Sequence, residues 1–362
     1  MTNNDDFFED RQGAAVLKHG ILRRYLPVFT GKLGVISNRV AYLDAYAGSG
    51  TYASGATGSP VLAAEISGQM ERLRLLECYL VEENAARSEE LCRALAGAER
   101  CNVYQADVAA CLDDVLQRTS GVPLLAFFDP FGLPPPMDVL KEKVLGRLGV
   151  TELLVNITLS GIRRNAGHLK EPQTNHAPYL AARPALLANM DAAMGGDWWR
   201  AEWEAGGDDR AHRIFLGYVE RMRPGWSYYW TEVGNRWNGP TVYYLLLLTH
   251  HRDGLWEFNK ALSGAYEDFQ RFTIVRAGGE QLSMIDPKPE DDMIAAIKGN
   301  IAELLAQGQT IVPGQMMREV FGPTLGHTRD KHVRAAVKAL HKEGLTSTDG
   351  KGDIQTMRIV PA

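Results

Sequence analysis

A recurring pattern constrains this chain more than any other feature. Four short strand-like runs each close on a carboxylate, with a helical stretch between one run and the next. Residues 40–43 lead into Asp44, 76–81 into Glu82, 102–105 towards Asp107 and 124–128 into Asp129. A fifth run, 152–157, follows a helical stretch at 138–148. Short apolar runs alternating with helices make a parallel sheet covered on both faces. Two further runs, 226–233 and 242–250, are joined by a Gly/Asn/Pro turn and form a hairpin. Five parallel strands closed by a hairpin predict an α/β fold, a seven-stranded Rossmann-like sheet with one antiparallel strand.

The remaining segments divide the chain. Apolar residues at helical spacing (Leu17, Ile21, Leu22, Tyr25, Leu26, Phe29) predict an opening helix, 14–33, in an N-terminal segment 1–36. The sheet domain is expected over 37–286, with 160–224 as a helical insertion. All seven tryptophans lie between Trp198 and Trp256, a cluster that suits either core or a target-recognition lid. Residues 287–292 (PKPEDD) suggest a linker. The last 70 residues suggest helices at 293–306, 313–321 and 329–343, then two short strands tipped by 349–352. That is a winged-helix pattern, assigned to 292–362.

Composition narrows the function classes. Hydrophobic residues are 45% and charged residues 23%, a balance that excludes a fibre or a largely disordered chain. No apolar run approaches the ~20 residues of a membrane helix. The start, MTNNDDFFED, lacks the apolar core of a secretory signal. The cysteines (Cys78, Cys92, Cys101, Cys111) form no C-x-x-C. Reduced thiols in a cytoplasmic protein without a metal site are therefore expected. Net charge is −5, yet from Lys298 onward nine Lys and Arg face six Asp and Glu.

The segment Asp44-Ala45-Tyr46-Ala47-Gly48-Ser49-Gly50-Thr51 runs from a strand end into a turn with two glycines. Glycine permits the close approach of backbone to a ligand. In open α/β sheets ligands bind at the carboxyl ends of the strands. An acid after the second strand (Glu82) is placed for ribose hydroxyls, and one after the third (Asp107) for an exocyclic adenine amine. Helix N-capping is the competing role for each acid.

With these residues in view, D-x-x-A-G-x-G and its downstream acids resemble class I S-adenosylmethionine-dependent methyltransferases. More closely, the chain is similar to the three-Cys-motif partner protein family over roughly 14–285. The shared residues are Lys18-His19, Tyr25-Leu26, the D-A-Y-A-G-S-G stretch and Gly58-Ser59-Pro60. Further along they are Phe127 to Gly132 (F-F-D-P-F-G), Val155-Asn156-Ile157 and Arg163-Arg164-Asn165. The resemblance implies a methyltransferase fold, S-adenosyl-L-methionine as cofactor, and a neighbouring partner with a three-cysteine cluster. Asp44, Ala47, Gly48, Gly50, Glu82 and Asp107 are the expected cofactor residues.

Asp129-Pro130-Phe131-Gly132 is the expected catalytic loop. Amino-methyltransferases of bases carry [DN]-P-P-[YF] there; here the aromatic is third and glycine fourth. Asp129 and the Pro130 carbonyl would accept the N–H bonds of a base amine, with Phe131 stacking on the base. Arg163 and Arg164 follow the fifth strand and suit phosphate or substrate, or a solvated loop. On the last helix, Lys331, Arg334, Lys338 and Lys342 fall within about 80° of one another at helical pitch, a stripe suited to nucleic acid. The expected function is methyl transfer to nucleic acid, on an exocyclic base amine. The alternatives are a non-catalytic cofactor-sensing or nucleic-acid-binding partner of a cysteine-cluster protein, or a methyltransferase of a small molecule or peptide.

Overall fold

The computed structural model describes residues 13–52, 55–170, 176–235, 239–276 and 290–362, except for the side chains of 274–276. It resolves into two compact units. The first holds Leu26–Asn235 and Gly239–His250; the second holds Ala15–Tyr25 and His251–Ala362. No helix among the described residues is long and apolar enough to cross a membrane.

The first unit is built on seven strands: β1 Arg39–Asp44, β2 Leu75–Val81, β3 Cys101–Tyr104, β4 Leu124–Phe128, β5 Thr151–Thr158, β6 Ser227–Gly234 and β7 Thr241–Thr249. Their order across the sheet is β3-β2-β1-β4-β5-β7-β6. β1 to β5 pair in parallel, and β7 runs antiparallel to both β5 and β6. The expected sheet, with its single reversed strand, is present. From β1 the chain winds outward through β2 to β3, then restarts at β4 on the other side of β1. Adjacent strands β1 and β4 therefore flank a topological switch point, where open sheets leave a crevice at the strand carboxyl ends. Alternation cannot be read in β4 or β5, because every residue but Thr158 is buried, as expected of strands covered on both faces.

The interval 160–224 packs as core. Helix Arg210–Met222 buries Ala211, Ile214, Phe215, Tyr218, Val219 and Met222, a stripe three and four residues apart. Phe215 stacks on Tyr244 of β7, with ring centroids 3.9 Å apart and planes at 10°. Trp199 and Trp203 are buried in the same cluster, so the lid role does not hold for them. Burying an aromatic or large aliphatic chain contributes about 1.5–3 kcal/mol, which is why these residues sit against the sheet. The expected helix at 138–148 is present as a wider π-helical segment, Val139–Leu145.

In the second unit, helix Arg252–Arg276 takes Ala15–Tyr25 of the opening helix against it: Arg24 pairs with Asp268 at 2.8 Å and Tyr25 donates to the Gly254 carbonyl. Helices Glu290–Ala306, Met317–Phe321 and Asp330–Lys342 follow. Trp256, Ile301, Phe321, Val337 and Ile359 share one core. The helix expected at 313–321 is shorter, because 312–316 form turns. The linker expected at 287–292 lies outside the described residues up to 289, and its last three residues begin a helix. The two closing strands are reduced to isolated bridges, Ile311 with Ile359 and Thr346 with Pro361. Polar Asp349, Asp353 and Thr356 instead bond neighbouring backbone or side chains, which favours turns over a ladder.

Candidate active site

The crevice is assembled from the backbone outward. At the end of β1 the Ala45 N–H bonds the Phe127 carbonyl of β4 at 3.0 Å, and the Ala47 N–H bonds the Val81 carbonyl of β2 at 2.8 Å. The turn is thus tied to both neighbouring strands. Gly48 and Gly50 take φ of 68° and 86°, the left-handed region that disfavours other residues. A Cβ on Gly50 would also stand 3.1–3.3 Å from Leu91, Val61 and Ala94. The Gly48 N–H donates to Glu82 Oε2 at 3.0 Å.

Glu82 is almost wholly buried. Its Oε1 accepts from the Asn84 N–H at 2.8 Å and from Arg87 at 3.0 Å. A carboxylate offers about four acceptor positions, so among the described residues three are engaged and one, on Oε2, remains. Asp107 is exposed and caps helix Val108–Arg118 through Oδ1. The competing capping role is therefore filled. Asp107 and Glu83 also raise the hydroxyl pKa of Tyr46, after burial as the main cause. Tyr46 thus lies where the loops after β1, β2 and β3 converge.

Asp44 is fully buried. It accepts from the Tyr46 N–H and the Tyr42 hydroxyl, each at 3.3 Å. Burial lifts its carboxyl to about 6; the Ser59 hydroxyl bond opposes this and the Asp129 charge adds to it. Two carboxylates at the ends of adjacent strands, one desolvated, make a crevice that favours a cation.

Asp129 opens the second wall. Asn156 of β5 donates its amide to Asp129 Oδ1, while Asn156 Oδ1 is buried without a hydrogen-bond partner among the described residues. Pro130 is buried and Phe131 is 40% exposed; Phe131 is not core. The Gly132 carbonyl accepts from Thr158 Oγ1 at 3.0 Å, and the same hydroxyl caps helix Leu159–Ala166. A Cβ on Gly161 would stand 2.6 Å from the Gly132 carbonyl. That helix therefore starts flush against the loop, and only glycine fits.

Arg164 follows from that placement: its guanidinium is 3.3 Å from where a Gly132 Cβ would stand. Arg163 is exposed on the same helix. His168 bonds the Tyr179 hydroxyl at 2.9 Å. Burial and the charges of Arg164 and Arg183 hold its pKa below the usual value. Arg183 donates to the His168 and Leu169 carbonyls. Tyr46, Asn156, Thr158 and Arg183 escaped sequence reasoning as site residues. Only Asn156 carried a signal, an amide inside an apolar strand.

The basic stripe on Asp330–Lys342 is less uniform than its pattern. Lys331 pairs with Glu290 at 2.8 Å. Arg334 is turned inward, donating to the Gly350 and Gly352 carbonyls. Lys338 and Lys342 remain exposed.

No protein-family model matches the chain, and no curated protein matches it. Among solved structures, it is similar to an rRNA methylase from Streptococcus thermophilus: 16% identity, 62% of this chain and 93% of that chain covered, TM-score 0.30. It is also similar to the plantazolicin methyltransferase BpumL in complex with a desmethylPZN analog and SAH (13%, 68% and 89%, TM-score 0.34). A third is a fibrillarin/Nop5p complex (12%, 63% and 83%, TM-score 0.34). At such TM-scores these likenesses carry no weight on activity. The class rests on the sheet itself: a seven-stranded, Rossmann-like α/β fold with one antiparallel strand and a crevice at its switch point.

Proposed function

We propose that this chain is an S-adenosylmethionine-dependent methyltransferase acting on nucleic acid, at an exocyclic base amine. The observation that carries this reading is the crevice between β1 and β4. There the Gly48–Gly50 turn, locked by Glu82, lies beside an acidic loop with an exposed aromatic. The residues suit the cofactor: Gly48 and Gly50 hold the turn in a left-handed backbone close under the strand ends, and Asp44 offers a buried counter-charge to an ammonium. Ala47, Gly48 and Gly50 would face the cofactor with backbone, and the remaining Glu82 acceptor position would meet ribose. Asp107 would meet the adenine amine. The cofactor, when bound, supplies a methyl group on a sulfonium.

The protein's part is placement and charge. A base amine is a weak nucleophile because its lone pair is delocalised into the ring. Asp129 Oδ and the Pro130 carbonyl accept its two N–H bonds, which holds it in line and favours a localised lone pair. Phe131 covers the base face; base–aromatic stacking contributes about 1–3 kcal/mol. Asn156 holds the Asp129 carboxylate in orientation. Arg163 and Arg164 take phosphate beside the loop. Lys338 and Lys342 provide a second, sequence-independent contact from the winged-helix-like segment 292–362. Lys331 and Arg334 serve mainly to hold that unit together.

A second reading has a specific observation behind it. Glu82 already spends three acceptor positions on the protein, and the loop departs from [DN]-P-P-[YF]. Both suit a non-catalytic cofactor sensor working with a cysteine-cluster partner. Methyl-tritiated S-adenosylmethionine offered with DNA, RNA and protein fractions of an unmodified host extract separates the two. Label in one nucleic-acid fraction, lost in Asp129→Ala, is expected. Label only in protein or small molecules overturns the substrate class. No label anywhere despite cofactor binding, with or without a cysteine-cluster protein, overturns the enzyme.

A further inference from the structure

β2 and β3 carry two thiols in direct register. Cys78 is the Cα partner of Cys101 across the parallel pair, and both are unbridged. Adjacent strands lie about 4.8 Å apart, inside the roughly 4.4–6.8 Å window of Cα separations that a disulfide spans. As Cα partners in parallel register, the two side chains point to the same face, and each shifts the other's thiol titration. Cys78 is fully buried, whereas Cys101 is partly exposed.

Cys101 opens onto a cavity of about 460 Å³ between helix Ser59–Met70 and the turn before β3, lined also by Ser67, Glu71, Ala98 and Arg100. Arg100 is fixed over it, bonding Ser67 Oγ at 3.4 Å and pairing with Glu71 at 3.3 Å. A small oxidant therefore has room to reach one sulfur, with the second directly behind it. Helix Ser59–Met70 is anchored to β2 through the Ser67 hydroxyl on the Leu76 carbonyl, so the cavity wall and the thiol strand hold one geometry.

We propose that Cys101 and Cys78 form a peroxide-reactive dithiol, with Cys101 the attacking sulfur and Cys78 the resolving one. The pairing with Cys78 and the Arg100 charge hold the Cys101 thiol below its ordinary pKa, while the same pairing, and then burial, push Cys78 up. Reactive cysteines sit in such electropositive, partly open places. The Cys101 thiolate, its proton released to solvent, attacks a hydroperoxide oxygen. The O–O bond breaks, hydroxide leaves and takes up a proton, and Cys101 becomes a sulfenic acid. Cys78 sulfur then attacks Cys101 sulfur. The S–S bond forms, the S–O bond breaks, and the hydroxyl departs as water with the Cys78 proton. Two thiols are oxidised and one hydroperoxide is reduced to two waters (or water and an alcohol).

This site lies away from the strand carboxyl ends, and it stands whether or not the methyltransferase reading does. The test is peroxide titration of the reduced full-length chain, followed by alkylation and peptide mass mapping. A Cys78–Cys101 cross-linked peptide pair as the first product, with Cys92 and Cys111 still alkylated, is expected. In Cys78→Ser the cross-link is lost and a sulfenic acid on Cys101 is trapped by a 1,3-dione. Oxidation of exposed Cys92 first, with Cys78 and Cys101 still reduced, overturns the proposal. So does onward oxidation of Cys101 in the wild-type chain without a cross-link. Neither of those readings depends on how well the variant folds.

Discussion

The acidic crevice of the sheet unit and the basic helix of the C-terminal unit are both rows of like charge, but they are held in different ways. In the crevice, Asp44 and Glu82 are buried and bonded to backbone N–H groups of the glycine turn. On the helix, Lys331 is exposed but paired with Glu290, Arg334 is turned inward, and Lys338 and Lys342 face solvent. Buried charge in a low dielectric needs partners, so it is tied to geometry and resists rearrangement. Exposed charge is screened and readily takes whatever acid is near. A charge pattern on a surface helix is thus a weaker statement about function than a carboxylate at a strand end.

The sharpest break in that comparison is Asp129→Ala. Methyl transfer should fall about a thousandfold while cofactor affinity, read by calorimetry, stays within twofold or so; near-normal turnover would remove Asp129 from the chemistry. Next comes Asp44→Asn, which should weaken the cofactor by tenfold or more yet stabilise the fold. The Asp44 carboxyl is lifted from 3.8 to about 6, so the folded state binds its proton more tightly than the unfolded chain does. Its ionisation is penalised: the cost is absent below pH 4, grows between 4 and 6, and reaches up to ~3 kcal/mol above 6. Asparagine should flatten that part of the stability profile in denaturant titrations. Wild-type cofactor binding should tighten as pH rises to about 6 and then level off. A flat binding profile from pH 5 to 7 would show that the ionised Asp44 plays no part.

Asn156→Leu should lower kcat by ten- to a hundredfold with little change in KM for the cofactor. Asn156→Asp should displace the pH–rate profile upward, by setting a new carboxylate against Asp129. If both variants merely unfold more easily, with an unmoved profile, Asn156 is structural. The smallest effects are expected on the helix. Lys338→Glu should weaken nucleic-acid binding and reduce the log–log salt slope by about 1. Arg334→Ala should act on stability, by roughly 1 kcal/mol, through release of the Gly350–Gly352 turn. Identical outcomes for the two would erase the distinction between the outward and inward cations.

What was readable from residue order follows from periodicity and punctuation. Apolar runs ending in Asp44, Glu82 and Asp129 marked strands and their carboxyl ends, and the glycine pair marked the turn. The tryptophan interval was ambiguous, since an aromatic cluster looks the same in a core as in a lid until its partners are known. Phe215 and Tyr244 settle it by stacking across elements 29 residues apart in number. The closing hairpin is present only in outline: Thr346 bridges Pro361 and the Thr346 and Thr348 hydroxyls bond the Val360 and Arg358 carbonyls, but the described residues form no regular ladder there.

The sequence by itself determined the class of sheet, the position of its glycine turn and the acids that line one edge, because all of these are local patterns of period and φ. Only the tertiary structure decided which groups are engaged. It set Glu82 against three donors, placed Asn156 behind Asp129, turned Arg334 inward and brought Cys78 beside Cys101 across 23 residues of chain. Those are long-range pairings fixed by strand register and burial, and one residue's slip in register would undo each of them on the sheet.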